Sequence, residues 1–85
     1  MDTWFGRPYA ALQETGISDN TTVVVTSEHG DMLGEHSLWY KITFRENAIR
    51  IPLMISRPGL VPAGRSVMPC GFVDVLPTLT DISGC

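Results

Sequence analysis

The stretch "TTVVVTSEHGDMLGEHSLWYK", Thr21 to Lys41, joins an apolar run to a dense group of charges. Three consecutive valines between threonines form a β-branched run without alternation. That pattern predicts a strand covered on both faces, as in a parallel sheet flanked by helices. In open α/β sheets, ligands bind beyond the carboxyl ends of the strands. Because the charged segment follows the valines directly, the stretch predicts an α/β fold with a binding loop at the end of a strand.

The residues on either side of the valine run predict a helix and a long loop. The segment "RPYAALQETG", residues 7–16, contains good helix formers. Pro8 suits the first position of a helix, and Gly16 suits its C-terminal cap. From Glu28 to Asn47, glycines, charges and aromatics follow no period, which predicts a loop with one helical turn near "TFREN".

The second half of the chain predicts further strands and a closing helix. "IPLMIS", residues 51–56, predicts a second buried strand, and residues 66–72 predict a third, placed towards an edge by Pro69. "DVLPTLTDIS", residues 74–83, predicts a helix with Asp74 as its N-cap. We therefore expect one α/β domain over residues 1–85, with short strands between an N-terminal and a C-terminal helix. Two helices cannot cover both faces of such a sheet, so the strands need further neighbours.

Composition excludes several classes of function. The chain has 85 residues and a net charge of −3, and its five arginines are scattered, so it lacks the basic surface that nucleic-acid binding requires. No apolar run is long enough to span a bilayer, and the N-terminus does not resemble a signal peptide, so we expect a cytoplasmic protein. Cys70 and Cys85 are too few for a disulfide scaffold, and we expect free thiols.

The charged stretch allows two interpretations when its residues are considered alone. Its titratable side chains within nine residues are Glu28, His29, Asp31, Glu35 and His36. A carboxylate beside an imidazole on a tight glycine turn can face one cation; oxygen ligands favour Ca²⁺ or Mg²⁺, and histidine favours Zn²⁺ or Mn²⁺. Lys41, among aromatic residues, can offer a point charge to an anion. The alternative, a solvated acidic loop, stays open.

A resemblance favours the first interpretation. The segment "TVVVTSEHGDMLGEHSLWYKITFRENAIRIPLMISRPG" resembles the C-terminal half of the sulfatase catalytic domain, in the alkaline-phosphatase-like superfamily, and especially its choline-sulfatase and arylsulfatase branch. In that family a strand ending in S-D-H-G or S-D-N-G precedes G-E-H/R-G-x-W-x-K and V-R-V-P-L-I-I. "GFVDVLPTLTDISG" resembles the family helix V-D-L-L-P-T-L-L-D-L-A-G, and "YAALQETGISDNT" the helix before the strand. The resemblance implies part of a three-layer α/β fold and a complete enzyme that hydrolyses sulfate esters.

The resemblance also implies roles for individual residues. Glu28 and His29 stand at the family's second pair of metal ligands, around Ca²⁺ in most members, with Mg²⁺, Mn²⁺ and Zn²⁺ as other divalent ions. Lys41 stands where a lysine contacts the sulfate ester and neutralises its developing charge, which makes it both a catalytic and a substrate-binding candidate. His36 belongs to the same metal and sulfate loop, residues 27–47. We include it among the catalytic candidates because it is expected to shape the pocket, and we assign it no role in proton transfer. Arg50 is expected to form an ion pair.

Two departures from the family pattern bear on function. The family has Asp where this chain has Glu28, whose carboxylate is one methylene further from the backbone. The formylglycine nucleophile is made in a C/S-x-P-S/A-R motif, which this sequence does not contain. We therefore expect the chain alone to be catalytically incomplete, with the N-terminal half of a sulfatase as its missing partner. A stand-alone oligomeric module with a vestigial site, and a phosphatase or phosphodiesterase relative, stay open as alternatives.

Overall fold

A computed structural model describes residues 2–85 and contains, over that range, three helices, four short strands and two 3₁₀ turns. The helices are α1 (Asp2–Glu14), α2 (Glu46–Ile49) and α3 (Phe72–Ser83). The strands are β1 (Val23–Thr26), β2 (Met32–Leu33), β3 (Trp39–Tyr40) and β4 (Leu53–Ser56). The 3₁₀ turns cover Ser18–Asn20 and Glu35–Ser37.

The two predicted buried strands exist, but they are antiparallel. β1 pairs with β4 in a register that sets Val23 opposite Ser56 and Thr26 opposite Leu53. The expectation of a parallel arrangement is wrong for this pair. A parallel pair needs a crossover connection, usually a full helix, whereas the only α-helix between β1 and β4 is the four-residue α2. The valine run correctly predicts a strand, but Val23–Val25 are only half-buried in this chain and the run carries no information on strand direction.

The remaining strands lie inside the predicted loop. β2 and β3 form a second antiparallel pair, with Met32 opposite Tyr40. The expected helical turn near "TFREN" is present as α2. The third strand predicted over residues 66–72 is wrong, since that described segment contains no strand. Pro69 cannot donate to a ladder, and Gly71 already caps the helix that follows.

α1 begins five residues earlier than predicted. It starts at Asp2, so Pro8 lies in its interior rather than at the first position. The proline ring removes one hydrogen bond to the carbonyl of Trp4. The Arg7 guanidinium lies 5.5 Å from the centre of the Trp4 ring, a cation–π contact that links the two turns. Within residues 2–85, no helix is long and apolar enough to cross a membrane.

α3 also begins earlier than predicted, and its cap differs. Gly71 is the N-cap, so the assignment of Asp74 as N-cap is wrong. Asp74 acts from inside the first turn, where its Oδ2 accepts the Gly71 N–H at 2.8 Å. At the other end Gly84 adopts a left-handed conformation with φ 78°. Arg57 ties this end to the rest of the chain, because its Nη1 donates to the Ile82 carbonyl at 3.0 Å.

Little of this chain is buried. Among the described residues, only Met32 and Ala48 are buried, at 1% and 2% exposure, while Val73 and Leu76 of α3 are 84% and 70% exposed. The accessible surface is 7340 Å², where a monomer of this mass exposes about 5,000 Å². The radius of gyration is 15.9 Å, against about 12 Å for a compact domain of this length. The outer faces of the sheet and helices therefore lack the covering layers that buried strands require.

Candidate functional site

The turn after β1 is fixed by backbone contacts with α2. The Gly30 N–H donates to the Ala48 carbonyl at 2.8 Å, and the Ser27 hydroxyl donates to the His29 carbonyl at 2.8 Å. A side chain at position 30 would overlap the carbonyl oxygen of Asn47. Only glycine fits there, because the backbones of the two segments touch. The glycine turn is predictable from the sequence, whereas the roles of Ser27 and Ala48 are not.

Glu28, His29 and Lys41 meet at one atom, the Nε2 of His29. Glu28 Oε1 and Lys41 Nζ each lie 2.9 Å from this nitrogen. Lys41 Nζ is 3.8 Å from Glu28 Oε1. The other ring nitrogen, Nδ1, lies 2.8 Å from the Gly30 carbonyl oxygen, and because a carbonyl only accepts hydrogen bonds, Nδ1 carries a proton. These contacts fix the orientation of the ring and direct Nε2 towards the two charged groups.

The three side chains line one end of a cavity of about 330 Å³. Ile49, Ile51 and Leu53 contribute an aliphatic wall, and Cys70 and Phe72 reach the cavity from the N-terminal end of α3. Cys70 and Phe72 were not predicted at this site, since no local pattern indicates that a residue this far along the chain returns to the loop. Cys70 is a free thiol, as predicted, and so is Cys85.

The donor atoms fit one edge of a cation site. Ligand distances of about 2.0–2.6 Å place neighbouring donors roughly 3 Å apart, and Glu28 Oε1 and His29 Nε2 are 2.9 Å apart. The carboxylate of the longer glutamate side chain thus lies next to the Nε2 edge of the imidazole. Within residues 2–85, no group of three or more His, Cys, Asp or Glu could hold a metal ion. The described residues thus offer two adjacent candidate ligands, and the others would have to come from elsewhere.

His36 lies apart from this cluster. It lines a second cavity, together with Met32, Glu35 and Phe44, and the structure does not bring it to Lys41. Its backbone is left-handed, with φ 55°. The Leu33 N–H donates to Glu35 Oε2 at 2.7 Å, and this hydrogen bond lowers the pKa of the Glu35 carboxyl below its usual value of 4.5. This part of the loop is held by its own hydrogen bonds.

Arg50 forms the expected ion pair. Its Nη1 lies 3.7 Å from Glu46 Oε2, one helical turn earlier. Both side chains are well exposed, so the pair adds little to the stability of the loop.

Comparison with known proteins shows which family the sequence matches. A family model for sulfatases matches residues 1–85. Choline-sulfatase of Rhizobium meliloti (strain 1021) is 43% identical over 84 residues, which cover 99% of this chain and 16% of the relative. Arylsulfatase K of Danio rerio is 37% identical over 98% of this chain and 16% of its own length. The multifunctional alkaline phosphatase superfamily protein PehA of Trinickia caryophylli is 38% identical over 99% of this chain and 17% of its length.

The chain thus spans about one sixth of the length of these curated relatives. No solved structure matches it. Sulfatases generally use a divalent metal, and the two adjacent ligands at the end of β1 are compatible with that property. The match over the full length of the sequence shows that this chain belongs to the sulfatase family, and with it to the alkaline-phosphatase-like α/β class.

Proposed function

We propose that the chain supplies the cation-binding and anion-binding part of a sulfuric ester hydrolase. The observation that carries this proposal is the convergence of Glu28 Oε1 and Lys41 Nζ on His29 Nε2, each at 2.9 Å, directly after β1. A carboxylate, an imidazole and an ammonium in one cavity suit a doubly charged cation next to an anionic ester. Relatives named choline-sulfatase and arylsulfatase K support a sulfate ester as the substrate class.

In this proposal each residue has a distinct role. Glu28 and His29 hold the divalent cation, with Ca²⁺ as the ion that the family resemblance favours and Mg²⁺, Mn²⁺ or Zn²⁺ as alternatives. When bound, the cation would offset the charge on the sulfate oxygens. Lys41 directs an ammonium at the sulfate ester and stabilises charge that develops as the ester bond breaks. His36, in the second cavity, is left with a role in shaping the loop.

We further propose that residues 1–85 form one part of a larger three-layer sulfatase domain. The sequence contains no C/S-x-P-x-R motif, so the nucleophile and the other metal ligands would come from polypeptide beyond these residues. The exposed surface exceeds that of a compact monomer by roughly 2,400 Å², and much of this excess is apolar, as at Val73 and Leu76. An area of that size is typical of an obligate interface. It supports assembly with the missing layers.

A chimeric enzyme tests the proposed function. The matching 84-residue segment of Rhizobium meliloti choline-sulfatase is replaced by this chain, and hydrolysis of 4-nitrophenyl sulfate is measured. Replacing Lys41 with Ala should then lower kcat by about 10²-fold or more, because one charge directed at the transition state is lost. The matched control, Arg50→Ala, removes a positive charge from the exposed pair with Glu46 and should change kcat by less than about twofold. A loss below about tenfold for Lys41→Ala would contradict the assigned role.

A second candidate function is a self-associating module with a vestigial site. The exposed apolar side chains of α3 and the unpaired outer edges of β1 and β4 favour it. Size-exclusion chromatography with light scattering distinguishes the two candidates. A defined oligomer of the isolated chain that is well folded favours the module, whereas a folded monomer counts against it.

A phosphate ester is the alternative substrate. The similarity to PehA, a multifunctional alkaline phosphatase superfamily protein, favours this alternative. The chimera separates the two by comparison of kcat/KM for 4-nitrophenyl sulfate and 4-nitrophenyl phosphate. We expect the sulfate to be the better substrate, and the reverse preference would replace the sulfatase proposal with a phosphatase.

A further inference from the structure

The contacts at His29 Nε2 cannot all be favourable at once. If Nε2 is unprotonated, it accepts a hydrogen bond from Lys41 Nζ, but its lone pair then faces Glu28 Oε1 at 2.9 Å. If Nε2 is protonated, it donates to Glu28, but its N–H then faces the Lys41 ammonium at the same distance. Because Nδ1 is already committed as a donor to the Gly30 carbonyl, the ring cannot relieve the conflict by exchanging its nitrogens. One of the two contacts is mismatched in each protonation state.

A cation placed against both Glu28 Oε1 and His29 Nε2 removes the mismatch, because each atom then offers a lone pair to a positive charge. Lys41 fulfils part of that requirement. Its ammonium lies 2.9 Å from the nitrogen and 3.8 Å from the carboxylate oxygen. A single charge at unequal distances satisfies the two acceptors incompletely. A divalent cation would satisfy both more fully, but it would compete with the ammonium for the same two atoms.

We propose that Lys41 is a placeholder for the cation, and that binding of a divalent cation displaces its ammonium and makes it available to the anion. This inference rests on the proposed function of Glu28 and His29 as cation ligands. The Lys41 side chain is 54% exposed, and its four-carbon stem is flexible, so it can leave His29 without a change of fold. The sulfate ester then meets a free ammonium beside the cation.

The placeholder role has a consequence for ligand order. Without the cation, Lys41 is held by His29 and Glu28 and its charge is partly neutralised. With the cation, the ammonium has no partner in the cluster. Cation and anion therefore bind with positive coupling, and by linkage each raises the affinity for the other by the same factor.

Direct binding measurements on the 85-residue chain test this proposal without any turnover. Mn²⁺ is titrated while paramagnetic broadening of the His29 ring resonances is followed by NMR, which detects binding even in the millimolar range. Replacing Lys41 with Met removes the competitor and should tighten Mn²⁺ binding by about fivefold or more, since a charge-assisted hydrogen bond no longer has to be broken. The control Arg50→Met removes a positive charge outside the cluster and should change the affinity by less than about twofold. In the wild-type chain, addition of diamagnetic Ca²⁺ should abolish the proton contacts between Lys41 and His29.

The outcomes separate this inference from the proposed function. Equal or weaker Mn²⁺ binding in Lys41→Met, with His29 still broadened, would overturn the placeholder role and leave the cation ligands intact. An absence of broadening at His29 in both the wild type and Lys41→Met would overturn the placeholder role in this chain, whereas the proposed function, which takes further ligands from beyond these residues, is tested separately by the chimeric enzyme. Lys41→Gln also removes the charge but keeps a polar end, and it must change the Mn²⁺ affinity in the same direction as Lys41→Met. Agreement between the two variants excludes a local packing defect in one of them as the cause.

Discussion

The close contact at Gly30 gives a sharp prediction, because a single methyl group should dislodge the site loop. In Gly30→Ala the new Cβ would overlap the Asn47 carbonyl oxygen and lie 3.1 Å from the Asn47 carbonyl carbon. Both atoms belong to the backbone, so no side chain can rotate away. Gly30 does not have a positive φ, so the prediction depends on space alone and not on backbone conformation.

The magnitude follows from what must move. To restore van der Waals contact, the turn at residues 28–31 has to retreat from α2 by about 1 Å, at a strain of about 1–3 kcal/mol. That movement also weakens the hydrogen bond from the Gly30 N–H to the Ala48 carbonyl, now 2.8 Å long, at a further cost of about 0.5–1.5 kcal/mol. We therefore expect a loss of about 2–4 kcal/mol in the free energy of unfolding. Even a compact domain of 85 residues has only about 4–13 kcal/mol in total, so this loss is a large fraction of the stability.

Urea unfolding followed by circular dichroism measures this effect. For a small chain the free energy of unfolding falls by about 1 kcal/mol for each 1 M urea, so the urea concentration at the midpoint of unfolding should be lower by about 2–4 M in Gly30→Ala. The matched control is Gly64→Ala, because a Cβ at Gly64 meets nothing within 4 Å and its φ is not positive. That control should be neutral or slightly stabilising, by up to about 1 kcal/mol. If Gly30→Ala unfolded within about 0.5 M of Gly64→Ala, the close backbone contact would not exist in solution.

Three further predictions concern the loop and its supports. Met32→Ala should destabilise the chain by about 2–4 kcal/mol in the same urea assay, because it empties the most buried position, whereas the exposed neighbour Leu33→Ala should cost less than about 1 kcal/mol. Arg57→Ala should lower the free energy of unfolding by about 1–2 kcal/mol, because it removes the hydrogen bond between Arg57 and the C-terminal end of α3. Amide hydrogen exchange should increase selectively near Ile82, and unchanged exchange there would show that other contacts hold this end of the helix. Because folding lowers the pKa of Glu35, its carboxylate stabilises the fold at pH values above the usual pKa of 4.5. This contribution disappears as the pH falls through the lower pKa of the folded state. Glu35→Gln should therefore flatten the acid side of the stability profile measured between about pH 2 and 6, and an unchanged slope would contradict the hydrogen bond with Leu33.

The sequence predicted those features that local chemistry determines. β1 and β4 follow from β-branched and apolar runs with clear boundaries, and Glu28 and His29 come together because they are neighbours at the end of a strand. Lys41, 12 residues beyond His29, could be associated with them only through the family pattern. Its contact with the His29 ring depends on the path of the β2–β3 pair, which has only two residues in each strand and no readable period.

Other features depend on tertiary contacts and could not be predicted. Strand direction is not encoded in a run of valines, so the antiparallel pairing was missed. Gly6 and Pro8 argue against a helix before residue 8, yet α1 includes Gly6 and has Pro8 in its interior, because propensity is a weak preference that does not by itself determine where a helix begins. The arrival of Cys70 and Phe72 at the cavity depends on how residues 57–71 fold back, and that segment consists of turn residues without periodicity.

The position of Met32 and Ala48 reverses the usual relation between scaffold and loop. In most enzymes, functional loops are the mobile parts and are mounted on a protected core. Here the two buried residues lie in β2 and α2, while α1 and α3 bury no residue. Amide hydrogens close to Met32 and Ala48 should thus exchange more slowly than those of the two long helices. If the remaining layers of a sulfatase domain assemble on this chain, they pack against a turn whose geometry already exists. The charged half of the site then forms before assembly and guides it, and does not depend on assembly for its own geometry.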